Sequence, residues 1–258
     1  MAICAMSYKI ASFGLSDLGL VRKNNEDVWC ARPELGLYIV ADGMGGHKAG
    51  EIAAREAVQR LCTIVESRYV DNCEKIDFHG MRKAFKIDIE QVNKGVYELG
   101  CSSQSLKGMG TTLCALYFHE KGLVYSHVGD SRIYRIRDRK LEQLTKDHSL
   151  FRELVDQGQM TEQEGADFLY RNIITKAIGT EPAVEPSVHL SDVEEGDLYL
   201  MCTDGLSDML SANEMQNILN YEMSIEDSAK ELVVTANARG GFDNVTLLLV
   251  KIVGCSRR

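Results

Sequence analysis

Leu35 to Gly43 reads LGLYIVADG, an apolar run that breaks on Asp-Gly. A run this short, bounded by turn residues, predicts a buried strand over Leu35 to Ala41 followed by a turn. From Ala49 the period changes. Ile52, Ala53, Ala57, Leu61, Ile64 and Val65 recur at helical spacing, so a long helix follows the glycines. A second amphipathic helix is expected over Met81 to Leu99. The middle of the chain reads as strands at Thr111 to Phe118, Leu123 to Val128 and Arg132 to Arg137. Gly129-Asp130-Ser131 is read there as a tight hairpin connection. Ser149 to Ile178 turns polar and helical. Leu198 to Cys202 is another buried strand ending near Asp-Gly, and Val245 to Val250 is the closing one. Ser211 with Glu214, and Ser224 with Asp227, are spaced to cap two helices. Strands and helices mix without βαβ alternation, which favours an α+β fold.

Within this pattern one local design occurs three times. Apolar strands meet acidic turns in YIVADG at Asp42, in LYLMCTDG at Asp204 and in GGFDNVTLLLV at Asp243. A single Asp-Gly is an ordinary turn. Three carboxylates on strand ends that converge on one cleft would repel each other unless cations bind them, and oxygen-only ligands suit Mg²⁺ or Mn²⁺.

Composition narrows the classes. The 258 residues are 45% hydrophobic and 26% charged, an ordinary globular balance that can bury a core. A net charge of −9 argues against a nucleic-acid binder but not against an anionic substrate held through cations. The eight cysteines show neither a CxxC pair nor zinc spacing and read as reduced thiols. No run of about 18 apolar residues exists, so no membrane span is expected. The N-terminus lacks a secretory pattern, and the whole predicts a cytoplasmic enzyme.

Eight segments, in order, carry a resemblance: VRKNNEDVW (21–29), VADGMGGHKAGE (40–51), GMGTT (108–112), HVGDSRIYRI (127–136), LTKDHS (144–149), RNIITKAIGTE (171–181), CTDGLSDML (202–210) and GGFDNVTLLLV (240–250). Together they resemble the bacterial form of the type 2C (PPM) metal-dependent serine/threonine protein phosphatases. The resemblance implies a sandwich of two antiparallel sheets flanked by helices. It covers residues 8–253 as one domain, with a flap at about 149–174 and tails at 1–7 and 254–258. It implies two Mn²⁺ or Mg²⁺ ions bridged by Asp42. The Gly43 carbonyl would serve one ion, Asp204 and Asp243 the other, and Glu26 would bind through water. The ions would present a shared hydroxide to phosphorus without a covalent phosphoenzyme.

Further roles follow from the same resemblance. Arg22 would grip phosphate with its planar fork. Asp130 and Ser131, with Asp204, match a third metal site; the competing reading is local turn hydrogen bonding. Asp27 would orient the metal water or its ligands, and Asp208 would be a helix N-cap or an orienting group. His47 is a candidate general acid, although relatives of the animal type place their histidine directly after Asp-Gly, where this chain has Met44. His127 and His148 are read as structural. Phe168-Leu169-Tyr170 departs from the His-Pro that many relatives carry before Arg-Asn. The implied partners are phosphorylated proteins made by a serine/threonine kinase, acted on by a monomer. A stress-regulatory phosphatase, an inactive phosphoprotein-binding module and a small-molecule phosphoesterase are the competing functions. Intact Asp42, Gly43, Asp204 and Asp243 argue against the inactive module.

Overall fold

The computed structural model describes residues 8–45, 48–71, 76–161, 163–164, 168–170 and 172–255. Two antiparallel sheets stack face to face. The first has the order β1-β11-β10-β7-β8, built from β1 (Tyr8–Asp17), β11 (Val245–Cys255), β10 (Leu198–Cys202), β7 (Arg132–Arg137) and β8 (Lys140–Gln143). The second has the order β2-β3-β5-β6-β9, built from β2 (Asp27–Arg32), β3 (Leu37–Met44), β5 (Leu113–His119), β6 (Gly122–Val128) and β9 (Ser187–Ser191), with β4 (Gly110–Thr111) pairing to β3.

The period-two rule explains why the central strands look apolar throughout. In β3, Leu37, Ile39 and Ala41 join the core beneath the helices, whereas Tyr38 and Val40 join the core between the sheets. In β11, Val245, Leu247 and Leu249 face one helical layer, and Leu248, Val250 and Ile252 face the other sheet. Both faces are buried, so alternation is hidden. Helices α1 (Lys48–Asp71) and α2 (Phe78–Ser102) cover the second sheet, and α5 (Ala212–Leu219) and α6 (Ile225–Ala238) cover the first. Truncating a fully buried residue such as Leu248 to alanine would cost about 2–5 kcal/mol.

Both expected caps form. The Ser211 side chain accepts from the Glu214 N–H within a full capping box, and the Ser224 side chain accepts from the Asp227 N–H. α2 begins on Asp77, whose carboxylate accepts from the Gly80 N–H at 2.6 Å.

Three expectations need correction. Gly129–Ser131 is not a hairpin, because β6 and β7 belong to different sheets and the segment carries the chain from one to the other. The true hairpin partners are β5 with β6 and β7 with β8. Asp42 is not on a turn: β3 continues through it to Met44, and Asp42 stands opposite Asp27 in the ladder. The flap is mostly irregular among its described residues, with one short helix, α3 (Leu150–Asp156), whose N-cap is Ser149.

Candidate metal centre

The second sheet presents Asp42 from a tightly held backbone. Its N–H donates to Thr112 Oγ1 at 2.9 Å, and its carbonyl accepts from the Thr112 N–H and from Thr111 Oγ1, each at 2.8 Å. Gly43 donates its N–H to the Glu26 carbonyl at 3.2 Å. A Cβ on Gly43 would overlap the Gly50 carbonyl and lie 2.6 Å from the Glu26 carbonyl, so only glycine fits between the start of α1 and the loop before β2.

The first sheet supplies the other acids. After β10, Thr203 precedes the short helix α4 (Asp204–Ser207), whose first residue is Asp204, and makes no side-chain cap to it. Gly205 packs so closely that a Cβ would overlap the Asn244 carbonyl. Asp243 lies two residues before β11 and accepts from the Asn244 N–H at 2.8 Å through Oδ1. Its Oδ2 accepts from Arg22 Nη2 at 2.6 Å.

Two residues absent from the sequence reading hold these pieces together. Thr203 Oγ1 donates to Asp27 Oδ2 at 3.0 Å and accepts from the Thr246 N–H at 3.1 Å, tying the second sheet to the first. The Asn244 amide donates to the Leu18 and Asn24 carbonyls at 2.9 and 3.0 Å, and its oxygen accepts from the Glu26 N–H at 2.9 Å. One side chain therefore fixes the whole loop bearing Arg22 and Glu26. Its place directly after Asp243 was the available signal, but the partners lie more than 200 residues away in sequence.

Electrostatics mark this region as the place of greatest charge conflict. Burial, then Asp27, Asp204, Asp130 and Asp243, hold Asp42 well above the carboxylate range. Asp27 is pushed up to about 8 by burial, against the hydrogen bonds from Thr246 and Thr203. Asp130 rises to about 8 through burial and Asp204. Asp204 rises to about 6 through burial, then Asp243 and Asp208.

The residues fit hard cations. Asp204 Oδ1 and Asp130 Oδ1 are buried and find no hydrogen-bond partner among the described residues. Such oxygens are costly unless a cation meets them. Among the described residues, no three Asp, Glu, His or Cys side chains stand close enough together to form a closed cage. Arg22 is bonded to Asp243, and Thr203 to Asp27. A cavity of about 30 Å³, room for about one water, adjoins Asp204 and is lined also by Asp130, Arg132, Asp147, Ser149, Asn172, Ser207 and Asp208.

Ser131 is fully buried at the crossover between the sheets, and its Oγ shares a hydrogen bond with Thr112 Oγ1 at 2.7 Å. Asp208 is the C-cap residue of α4 rather than a helix N-cap, and its carboxylate accepts from Asn172 of the flap at 3.2 Å. Glu26 has its carboxylate against Gly50. His47 and Arg171 lie outside the described residues. His127 and His148 stack at 4.5 Å, with His127 Nε2 donating to the Lys146 carbonyl at 2.7 Å, and His148 Nδ1 accepting from the Gly129 N–H. Leu169 is 91% exposed on the flap, and Phe168 packs between Phe151 and Tyr170.

Comparison with known proteins extends this geometry. The family profile described as "Protein phosphatase 2C" matches residues 23–241. A "Putative protein phosphatase 2C-type" from Streptococcus pyogenes serotype M6 is 39% identical over 238 residues, covering 91% of this chain and 94% of the relative. "Protein phosphatase PhpP" of Streptococcus pneumoniae is 37% identical, covering 92% of this chain and 96% of that protein. Among solved structures, the S. agalactiae serine/threonine phosphatase superposes with a TM-score of 0.85 at 39% identity, covering 95% of this chain and 100% of the other. The catalytic domain of the serine/threonine protein phosphatase PstP, in complex with 2 manganese ions, gives a TM-score of 0.82 at 34% identity over 95% of this chain and 99% of the other.

Proposed function

The chain belongs to the protein phosphatase 2C family, and from that premise we propose how its acidic cleft removes phosphate from phosphoserine and phosphothreonine in proteins. The observation that carries the reading is the pairing of partnerless buried carboxylate oxygens on Asp204 and Asp130 with an arginine at the rim.

Asp42, the Gly43 carbonyl, Asp204 and Asp243 would hold two divalent ions, Mn²⁺ or Mg²⁺, with Glu26 acting through water. Asp130 and Ser131, with Asp204, would hold a third. When bound, the ions supply Lewis acidity and make water a nucleophile at neutral pH. Arg22 is the phosphate grip. Its ion pair with Asp243 is largely solvent-exposed and worth at most about 1 kcal/mol, so a phosphoryl dianion can recruit the guanidinium at little cost. Asp27, fixed through Oδ2 by Thr203, keeps its neighbours aligned. Asp208 couples the cleft to Asn172 of the flap. His47 is the candidate donor of a proton to the leaving alkoxide.

The reading takes residues 8–253 as one catalytic domain with a flap at about 149–174, acting as a cytoplasmic monomer on the products of a serine/threonine kinase. No described helix is long and apolar enough to cross a membrane. The test is hydrolysis of an aryl phosphate and of phosphoserine, phosphothreonine and phosphotyrosine peptides. Turnover should require Mn²⁺ or Mg²⁺, stop with chelator and nearly vanish in Asp204→Ala. Metal-independent turnover, or full activity in that variant, would overturn the mechanism. A preference for phosphotyrosine would overturn the substrate class.

A further inference from the structure

Cys30 and Cys62 meet across the join between β2 and α1, with their sulfurs 3.8 Å apart. They lie 32 residues apart in sequence, and nothing in the phosphatase chemistry uses them. Cys30 and Val28 pack on the helix-facing side of β2, whereas Ala31 packs between the sheets. Cys30 therefore points away from the face that carries Asp27.

A second contact spans the same two elements. Arg32 Nη2 reaches Glu66 Oε1 at 3.4 Å. From one contact to the next is two residues on the strand, about 6.7 Å, and four on the helix, about 6 Å. Strand and helix thus run side by side in register, which keeps the two sulfurs facing each other.

The two thiols are unequal. Cys30 is half-buried and Cys62 is buried. The hydrogen bond from the Cys62 thiol draws Cys30 down to about 7, with help from Arg32 and against burial and Glu34. The same hydrogen bond and burial push Cys62 up, with Arg32 and Glu66 nearby in opposition. The more accessible sulfur is thus the better nucleophile, and the less accessible one is placed to resolve it.

We propose that Cys30 and Cys62 form a reversible redox pair that a hydroperoxide closes into a disulfide stapling β2 to α1. The Cys30 thiolate attacks the distal peroxide oxygen. The O–O bond breaks, and the departing oxygen leaves as an alcohol or water after taking a proton from solvent. Cys62 sulfur then attacks the Cys30 sulfenic acid, the S–O bond breaks, and hydroxide leaves as water with the Cys62 proton. The two thiols lose two electrons and the peroxide gains two. A dithiol reverses the step. The loop so closed contains Asp42, Gly43 and Gly50, so the link holds both ends of the segment that shapes the cleft. This inference does not depend on the reaction catalysed there.

The test treats the full chain with limiting hydrogen peroxide, then blocks thiols and maps peptides without reduction. The Cys30–Cys62 linked peptide should be the dominant product, formed before the exposed Cys101 is oxidised. The melting temperature should rise by on the order of 5 °C and return with dithiothreitol. In Cys62→Ala, dimedone should trap sulfenic acid on Cys30, formed more slowly because the Cys62 hydrogen bond is gone; in Cys30→Ala, Cys62 should remain an alkylatable thiol. Reduced Cys30→Ala should keep aryl phosphatase turnover within about twofold, since a partly buried truncation here removes packing but no cleft group. Oxidation of Cys101 first, with both Cys30 and Cys62 recovered as thiols, would overturn the proposal, as would a link with no thermal shift. Because the wild-type map alone decides linkage, a variant that fails to fold does not rescue the idea.

Discussion

Asp204→Asn tests the claim that the cleft is strained by its own charges. Asp204 sits at about 6 where 3.8 is ordinary. At about 1.4 kcal/mol per pH unit, keeping it ionised in metal-free protein costs about 3 kcal/mol. The sign follows from linkage. Folded Asp204, Asp27 and Asp130 are all raised, so the folded state binds more protons than the unfolded one above about pH 4. Their stabilising protons are fully present below that pH and are lost as pH rises through 6 for Asp204 and 8 for the other two. With chelator present, wild-type stability should therefore fall from pH 5 to pH 8. Asparagine keeps the shape and removes the charge, so the variant should be more stable than wild type at pH 8 by up to about 3 kcal/mol, or on the order of 6–12 °C. Excess Mn²⁺ should narrow the gap, because ion binding at 100 times its dissociation constant adds about 2.7 kcal/mol and the variant binds less well. Denaturant melts at pH 5, 6.5 and 8, with and without Mn²⁺, measure all of this. A wild-type curve that is flat or rising with pH in chelator, or a variant less stable at pH 8, would refute the reasoning.

Other expectations concern the frame around the acids. Arg22→Ala should lower kcat/KM on an aryl phosphate about a hundredfold, the worth of about 3 kcal/mol from charge-assisted bonds, and Arg22→Lys should recover only part because it lacks the fork; steady-state kinetics decide. Gly43→Ala drives a methyl into the Gly50 and Glu26 carbonyls; calorimetric titration with Mn²⁺ should show weakened binding even if the protein still folds, and unchanged affinity would count against the packing account. Asn244→Ala removes three hydrogen bonds to the Leu18–Glu26 segment, so it should cost about 3 kcal/mol and lower the melting temperature by on the order of 6–12 °C, with proteolysis beginning near Arg22.

Local order was legible where one residue dictates its own neighbourhood. The caps at Ser211 and Ser224 form because a hydroxyl and an N–H three residues on need nothing else. The strand at Arg132–Arg137 and the one at Leu198–Cys202 have the bounds expected of them. The connection at Gly129–Ser131 was misread because Gly-Asp-Ser suits a hairpin as well as a crossover, and only sheet partners distinguish them. Asp208 was misplaced for a related reason. Its spacing from Asp204 fits either end of a helix, and α4 proves too short for Asp208 to begin another before Ser211.

The sequence by itself determined the acids, the arginine and the family, because these are matters of residue type and order along the chain. Tertiary structure decided what those residues do to each other. It set Asp42 opposite Asp27, buried single oxygens of Asp204 and Asp130, turned Asp243 to Arg22 and gave Asn244 and Thr203 their work. Burial and charge repulsion depend on distance through space, and the groups concerned here lie up to more than 200 residues apart along the chain.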